Sequence, residues 1–299
     1  MAADSRFITD LKNRFKRGDI VTQLIYINVG VFLIVTLVNL FLVLFNAGTE
    51  HRWTNWLLFP ASFFQYLRQP WSVLTYMFMH AGVLHILFNM LWLYWFGRLF
   101  LGFFSAKHLR GLYVLGGIAG AVLYMAAYNV FPYFRDAVLF SYLLGASASV
   151  LAVGVATAVR EPDYPVQFLF IGTVRLKYVA LFMVALDLLF LTADNAGGHL
   201  AHLGGALAGW WFASGLVKGR DLTRWINIAL DCCSGRWHRA PRKPKMEVHY
   251  GDKQKDYEFN ERKKARTDEI DRILDKLRKS GYGSLTEEEK KSLFDASEK

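Results

Sequence analysis

Apolar and polar positions divide the chain unevenly. Through residue 217, long uncharged stretches alternate with short charged ones, and beyond that point the balance reverses. Six apolar stretches, at about 21–45, 81–96, 112–130, 137–159, 178–193 and 197–217, approach the roughly 20 residues that a helix needs to cross a bilayer. The pattern predicts an all-α polytopic membrane protein with six transmembrane helices in the region 21–218. Residues 1–20 place Phe7, Ile8, Leu11 and Phe15 at helical spacing among Lys12, Arg14, Lys16 and Arg17, as in a short basic helix lying on an anionic membrane surface. The length of the stretch 21–45, with no small-residue cleavage site after it, speaks against a removed signal peptide.

After the last span, Leu222, Trp225, Ile226, Ala229, Leu230 and Cys233 recur at helical spacing and predict an amphipathic helix for the inner leaflet. Together with a basic, proline-containing linker (Arg236, Arg239, Arg242, Lys243, Lys245), it makes up a segment 219–258, expected to meet lipid phosphates and not nucleic acid. Residues 259–299 read as a soluble helical hairpin. Ile270, Ile273, Leu274 and Leu277 form one stripe, Gly281 and Gly283 break it, and Thr286 with Glu289 makes a capping box for the second helix. So small a hairpin holds little core by itself, so it is expected to dock on a partner, on its own membrane domain or on a second copy.

Composition agrees with the pattern. The chain has 299 residues, is 54% hydrophobic with 24 Phe and 9 Trp, and has a mean hydropathy of +0.21, too apolar for an ordinary soluble domain. Its net charge of +10 is read as basic segments on the cytoplasmic side. With both termini inside, the inner connections before residue 218 carry 11 Lys and Arg, from Arg6 to Lys177, against Arg52, Arg68 and Arg135 outside. The expected location is a bacterial inner (plasma) membrane with both termini cytoplasmic. The long first connection, rich in Trp53, Trp56, Phe59, Phe63, Phe64, Tyr66 and Trp71, is expected to lie in the interface. Cys232 and Cys233, adjacent and alone, give no metal spacing and no disulfide framework.

Polar residues inside the spans mark the candidate chemistry. A lone serine in a membrane helix ordinarily bonds back to the preceding turn, but Ser147 shares a helical face with Gly154 and Ala158, which lets another helix come close. His202, Gly205 and Gly209 make a matching small-residue face in the sixth span. In the second span, His85 and Asn89 are i, i+4 and share a face, while His80 lies away from it. Ser147 to Arg160 and His85 to Arg98 each rise roughly 20 Å, and His202 to Lys218 roughly 24 Å. Measured from the basic ends, all three therefore reach one level, about 10 Å below the outer edge of a ~30 Å core.

These residues resemble the rhomboid intramembrane serine proteases over about 20–217. The shared elements are His80, His85 and Asn89 of the second span, the Gly-x-Ser of Gly145 and Ser147, and Ala201, His202, Gly205 and Gly209 of the sixth. The resemblance implies Ser147 as nucleophile and His202 as general base. It also implies an oxyanion hole of His85, Asn89 and the Ser147 backbone N–H, with His80 shaping the outer loop. Three positions depart from the family: Ala148 where Gly is frequent, Leu151 where some members carry an aromatic ring, and Ser72 after Trp71 where many have Arg.

No cofactor and no metal is expected, and the expected partners are transmembrane protein substrates and the lipid bilayer. Asp187 in the fifth span stands outside this scheme. Ten residues after Lys177 it rises roughly 15 Å; it is read as a protonated or hydrogen-bonded structural acid, and with no carboxylate evident as a third member a Ser–His dyad is the economical reading. A non-catalytic relative that binds membrane helices in quality control is the alternative, which loss of Ser147 or His202 would have signalled. A proton-coupled transporter using His85, His202 and Asp187 ranks third, for want of a recognisable inverted repeat.

Overall fold

The computed structural model describes residues 15, 18–46, 53–168, 171–233 and 253–297. The basic segment expected at 1–20 and the linker cations from Arg236 to Lys245 lie essentially outside that set. Two compact units fall within residues 1–237 and 238–299.

The first unit is a helical membrane domain. Helices α1 (Ile20–Leu44), α2 (Phe63–Arg68), α3 (Ser72–Thr75), α4 (Val83–Leu101) and α5 (Ala106–Val130) precede α6 (Ser147–Arg160), α7 (Leu176–Leu189), α8 (Ala196–Val217) and α9 (Arg224–Cys233). Among the described residues, α1, α4, α5 and α8 are long and apolar enough to cross a membrane. Helices α6 and α7, in the fourth and fifth predicted spans, have 14 residues each, roughly 21 Å by rise. Large apolar side chains stay exposed along α1 (Leu33, Ile34, Leu37, Phe41), α4 (Leu84, Leu87, Leu91) and α7 (Leu181, Phe182), which suits lipid as the surrounding solvent. The chain is an integral membrane protein.

Helix α6 takes the centre. Every residue from Ala148 to Ala158 is buried, because small side chains allow neighbours on all sides. A Cβ added to Gly205 of α8 would collide with the Ala148 carbonyl, and one added to Gly209 with that of Ala152. The glycine face predicted for the sixth span thus meets the fourth backbone against backbone, but at Ala148 and Ala152 and not at the predicted Gly154, whose open side is filled by the Phe96 ring of α4. Around them, Tyr76, Tyr113, Tyr124, Phe96, Phe100 and Phe212 fill the interior.

The fourth predicted span is helical only from Ser147 onward, where a helix from 137 was expected. Residues 132–137 form a 3₁₀ turn, and Tyr142–Leu143 is a short strand, β2, pairing antiparallel with β1 (Phe59–Pro60) of the aromatic first connection. Gly145, at φ +119°, keeps helix from extending upstream, since only glycine takes that backbone angle readily. Its N–H donates to the Tyr76 carbonyl at 3.0 Å. A second hairpin, β3 (Pro165–Phe168) with β4 (Gly172–Arg175), leads into α7.

The amphipathic helix expected after the last span appears as α9, but its anchor is polar. Arg110 of α5 donates to Asn227 at 2.9 and 3.0 Å and to Asp231 at 2.9 Å, while Trp225 and Ile228 remain exposed. The second unit holds α10 (Lys253–Ser280) and α11 (Glu287–Ser297). The capping box forms as predicted: Thr286 N–H donates to Glu289 Oε2 at 2.9 Å, and Glu289 N–H to Thr286 Oγ1 at 3.3 Å. Of the predicted stripe Ile273 is buried, whereas Leu274 is exposed.

Candidate active site

Ser147, His85, Asn89 and His202 line one cavity of about 1050 Å³, together with Asp187, His199, Leu151 and the strand β2. Each polar side chain is delivered by a different piece of backbone. The Gly145 turn ends β2 and starts α6, so Ser147 occupies the first helical position with no side-chain N-cap ahead of it. Helix α4 begins at Val83 and brings His85 and Asn89 in on its first two turns. Helix α8, pressed against α6 by its glycines, carries His199 and His202 on one face.

The cavity narrows at Gly145. A Cβ there would stand 3.0 Å from His85 Nε2 and 3.6 Å from Ser147 Oγ, so the glycine is where the imidazole and the hydroxyl come together. The Ala81 N–H donates to His85 Nδ1 at 3.3 Å. A neutral imidazole that accepts at Nδ1 holds its proton at Nε2, and His85 therefore presents an N–H donor toward the serine. Asn89 Nδ2 donates to the His85 carbonyl at 2.9 Å, which locks the amide in place and leaves its second hydrogen for another acceptor. His80 is buried beside them, its ring 5.1 Å from that of His85, and outside the cavity lining.

On the opposite wall, Asp187 Oδ1 lies 2.8 Å from Nδ1 of His202 and 2.8 Å from Nδ1 of His199. The sequence reading saw no carboxylate as a third member, and the structure places one against the expected base. The available signal was the cost of an acid in a membrane helix. Asp187, His199 and His202 offer ligand atoms within 4.8 Å of one another and could hold a metal ion; their 2.8 Å spacings are those of charge-assisted hydrogen bonds.

The departures from the family pattern are local. Ala148 turns its carbonyl to Gly205, and Leu151 lines the cavity as an apolar wall. Without an arginine after it, Trp71 anchors the first connection itself: its Nε1 donates to the Trp56 carbonyl at 2.8 Å, and the two indoles stack at 6.2 Å.

Comparison with known proteins agrees with this geometry. The rhomboid domain family matches residues 67–219, which contain His80, His85, Asn89, Gly145, Ser147, Asp187, His199 and His202. A family of unknown function (DUF6576) matches residues 253–299, the helical hairpin. The "RHOMBOID-like protein 12, mitochondrial" of Arabidopsis thaliana is 27% identical over 158 residues, covering 50% of this chain and 47% of its own length. The chain thus spans about half the length of that relative. With half of its residues matched by the rhomboid domain, and the glycine, serine and histidines of the motif gathered around one cavity, the chain belongs to the rhomboid family.

Proposed function

We propose that the protein is an intramembrane serine protease that hydrolyses peptide bonds of transmembrane substrates near the outer membrane face. One observation carries the reading: Ser147 and His202, from different helices, line one cavity in which the donor nitrogen of His85 is aimed at the serine's own turn. Ser147 Oγ attacks the scissile carbonyl carbon while its proton passes to His202 Nε2. The carbonyl π electrons move onto oxygen, which is received by His85 Nε2–H, the free Asn89 amide hydrogen and the Ser147 N–H at the uncapped start of α6. Collapse expels the amine, which takes the proton from His202, and water then releases the acyl group by the same steps.

The cavity, reached past an unwound stretch of chain and not through a full helix, admits water to this level. Substrate helices have to open locally before a peptide bond is reachable, so cleavage is expected at Gly-, Pro- or polar-containing segments near the outer end of a substrate span. The residue before the cut is expected to be small, in keeping with Gly145, Ala146 and Ala148. The basic ends of the helices are assigned to the cytoplasm.

Labelling of the full-length protein in detergent by a fluorophosphonate tests the reading. Wild-type protein is expected to react and to cut a model transmembrane substrate, and Ser147→Ala and His202→Ala to do neither while remaining folded. Turnover above a few per cent of wild type in either variant overturns the assignment. Absence of both reactions in the wild type would favour a non-catalytic binder of membrane helices.

A further inference from the structure

Asp187 has no task in the reaction just described. Helix α7 buries only two of its side chains, Leu176 at its start and Asp187 near its far end. An acid is costly there unless it is bonded, and one of its oxygens lies 2.8 Å from Nδ1 of each of two imidazoles. A carboxylate accepts and cannot donate, so in the arrangement in which Asp187 holds both rings, Nδ1 of His199 and of His202 bears the proton. For His202 this fixes the tautomer whose lone pair sits on Nε2, the form able to take a proton from a serine.

We propose that Asp187 is the positioning residue of the base, with His199 as the second donor that holds its carboxylate in place. The inference rests on the serine-protease reading. During attack the Ser147 proton moves to His202 Nε2 and leaves from that same nitrogen to the departing amine. The Nδ1 proton stays where it is and Asp187 stays ionised, facing the imidazolium that forms. His199 and His202 are i, i+3 on α8 and so present both Nδ1 atoms to one side. One oxygen shared by two donors ties the orientation of the base to the place of α7.

Kinetics of Asp187→Asn in the full-length protein separate this role from a structural one. An asparagine preserves shape and can still hydrogen-bond both rings, so an acid that merely braces two helices would tolerate it. The expected outcome is a kcat lower by roughly 10²–10⁴-fold, KM within about twofold of wild type, an unchanged unfolding temperature, and fluorophosphonate labelling slowed in parallel. Asp187→Glu, which keeps the charge, is expected to recover at least roughly tenfold of that loss. For an asparagine variant that fails to fold, Asp187→Ala with added formate replaces it, and formate is expected to raise kcat.

Wild-type kcat in Asp187→Asn, a loss carried by KM, or no response to formate overturns the inference. So does inactivation of the wild type by a chelator with recovery on adding zinc, because the three side chains would then be metal ligands. A wild-type protein that neither labels nor cuts overturns the protease reading itself, and so is told apart from an active wild type indifferent to Asp187→Asn.

Discussion

Gly205 sits against the carbonyl of Ala148 so closely that even a methyl group would have no room. That contact sets how near α8 approaches the helix carrying Ser147, and so whether a base on α8 reaches a hydroxyl on α6.

Gly205→Val is therefore expected to push the two helices apart. A shift of about 1 Å in a reacting pair can cost about 10²-fold in rate, and overpacking about 1–3 kcal/mol in stability. Activity and thermal unfolding of the variant check this. A variant with wild-type turnover would show that the α6–α8 spacing does not govern catalysis.

Asn89→Ala is expected to lower kcat by up to roughly 10²–10³-fold, the typical cost of one lost oxyanion donor, and to leave KM nearly unchanged. His85 keeps its own fastening through the Ala81 N–H, so the remaining donors stay in position. A loss confined to KM would assign Asn89 to helix packing alone.

The hairpin and the amphipathic helix are expected to separate in a truncation series. Ending the chain after Cys233 retains α9 and should preserve cleavage in detergent, since every proposed catalytic group precedes Val217. Ending it after Lys218 strips Arg110 of both Asn227 and Asp231 and empties the space where Thr223 and Asn227 pack against Gly111. Lower thermal stability of the shorter protein than of the longer one is the expected reading. Loss of cleavage already after Cys233, with probe labelling intact, would make the hairpin an activator.

Thr286→Ala removes one half of the capping box and is expected to weaken α11 by about 1 kcal/mol, seen as roughly fivefold faster amide hydrogen exchange across the helix. The Lys276 ammonium, followed by the Thr286 N–H, holds the Glu289 carboxyl below its ordinary range. The contribution of that carboxylate is thus complete above the usual glutamate pKa and is lost as pH falls through the lowered one. Protection factors in α11, which are corrected for the intrinsic exchange rate at each pH, should accordingly fall on acidification, and they should do so less in Glu289→Gln.

Much of this was legible in the residues because the governing physics is local. Small side chains at i, i+3 and i+7 require a close neighbour, and Gly205 and Gly209 found theirs at Ala148 and Ala152, one helical side away from the predicted Gly154. Charge-free length marked the long helices, and the threonine–glutamate capping box of Thr286 and Glu289 marked α11. The unwound segment before Ser147 was missed because apolar strand and apolar helix look alike in sequence, and Gly145 alone gave no warning of its backbone angle. Asp187 was read as structural because its pairing with His199 and His202, 12 and 15 residues on and across the turn into another helix, leaves no periodic trace. Asn28, whose amide lies 3.1 Å from the Tyr113 hydroxyl inside the bundle, was likewise invisible: pairing 85 residues apart leaves no periodic trace.

The strand pair β1–β2 couples what the sequence separates. Phe59 and Pro60 stand opposite Leu143 and Tyr142, and the Ala61 N–H donates to Ser141 at 3.0 Å, so the aromatic loop and the turn into Ser147 move as one piece. Indoles such as Trp56 and Trp71 settle at the headgroup level, which makes the loop a gauge from which the nucleophile hangs at a fixed drop. In a thicker or thinner bilayer the mismatch then falls on the opposite ends of the helices, and under the proposed protease activity the cut in a substrate should keep its distance from the surface at which the loop lies while its distance from the other one varies.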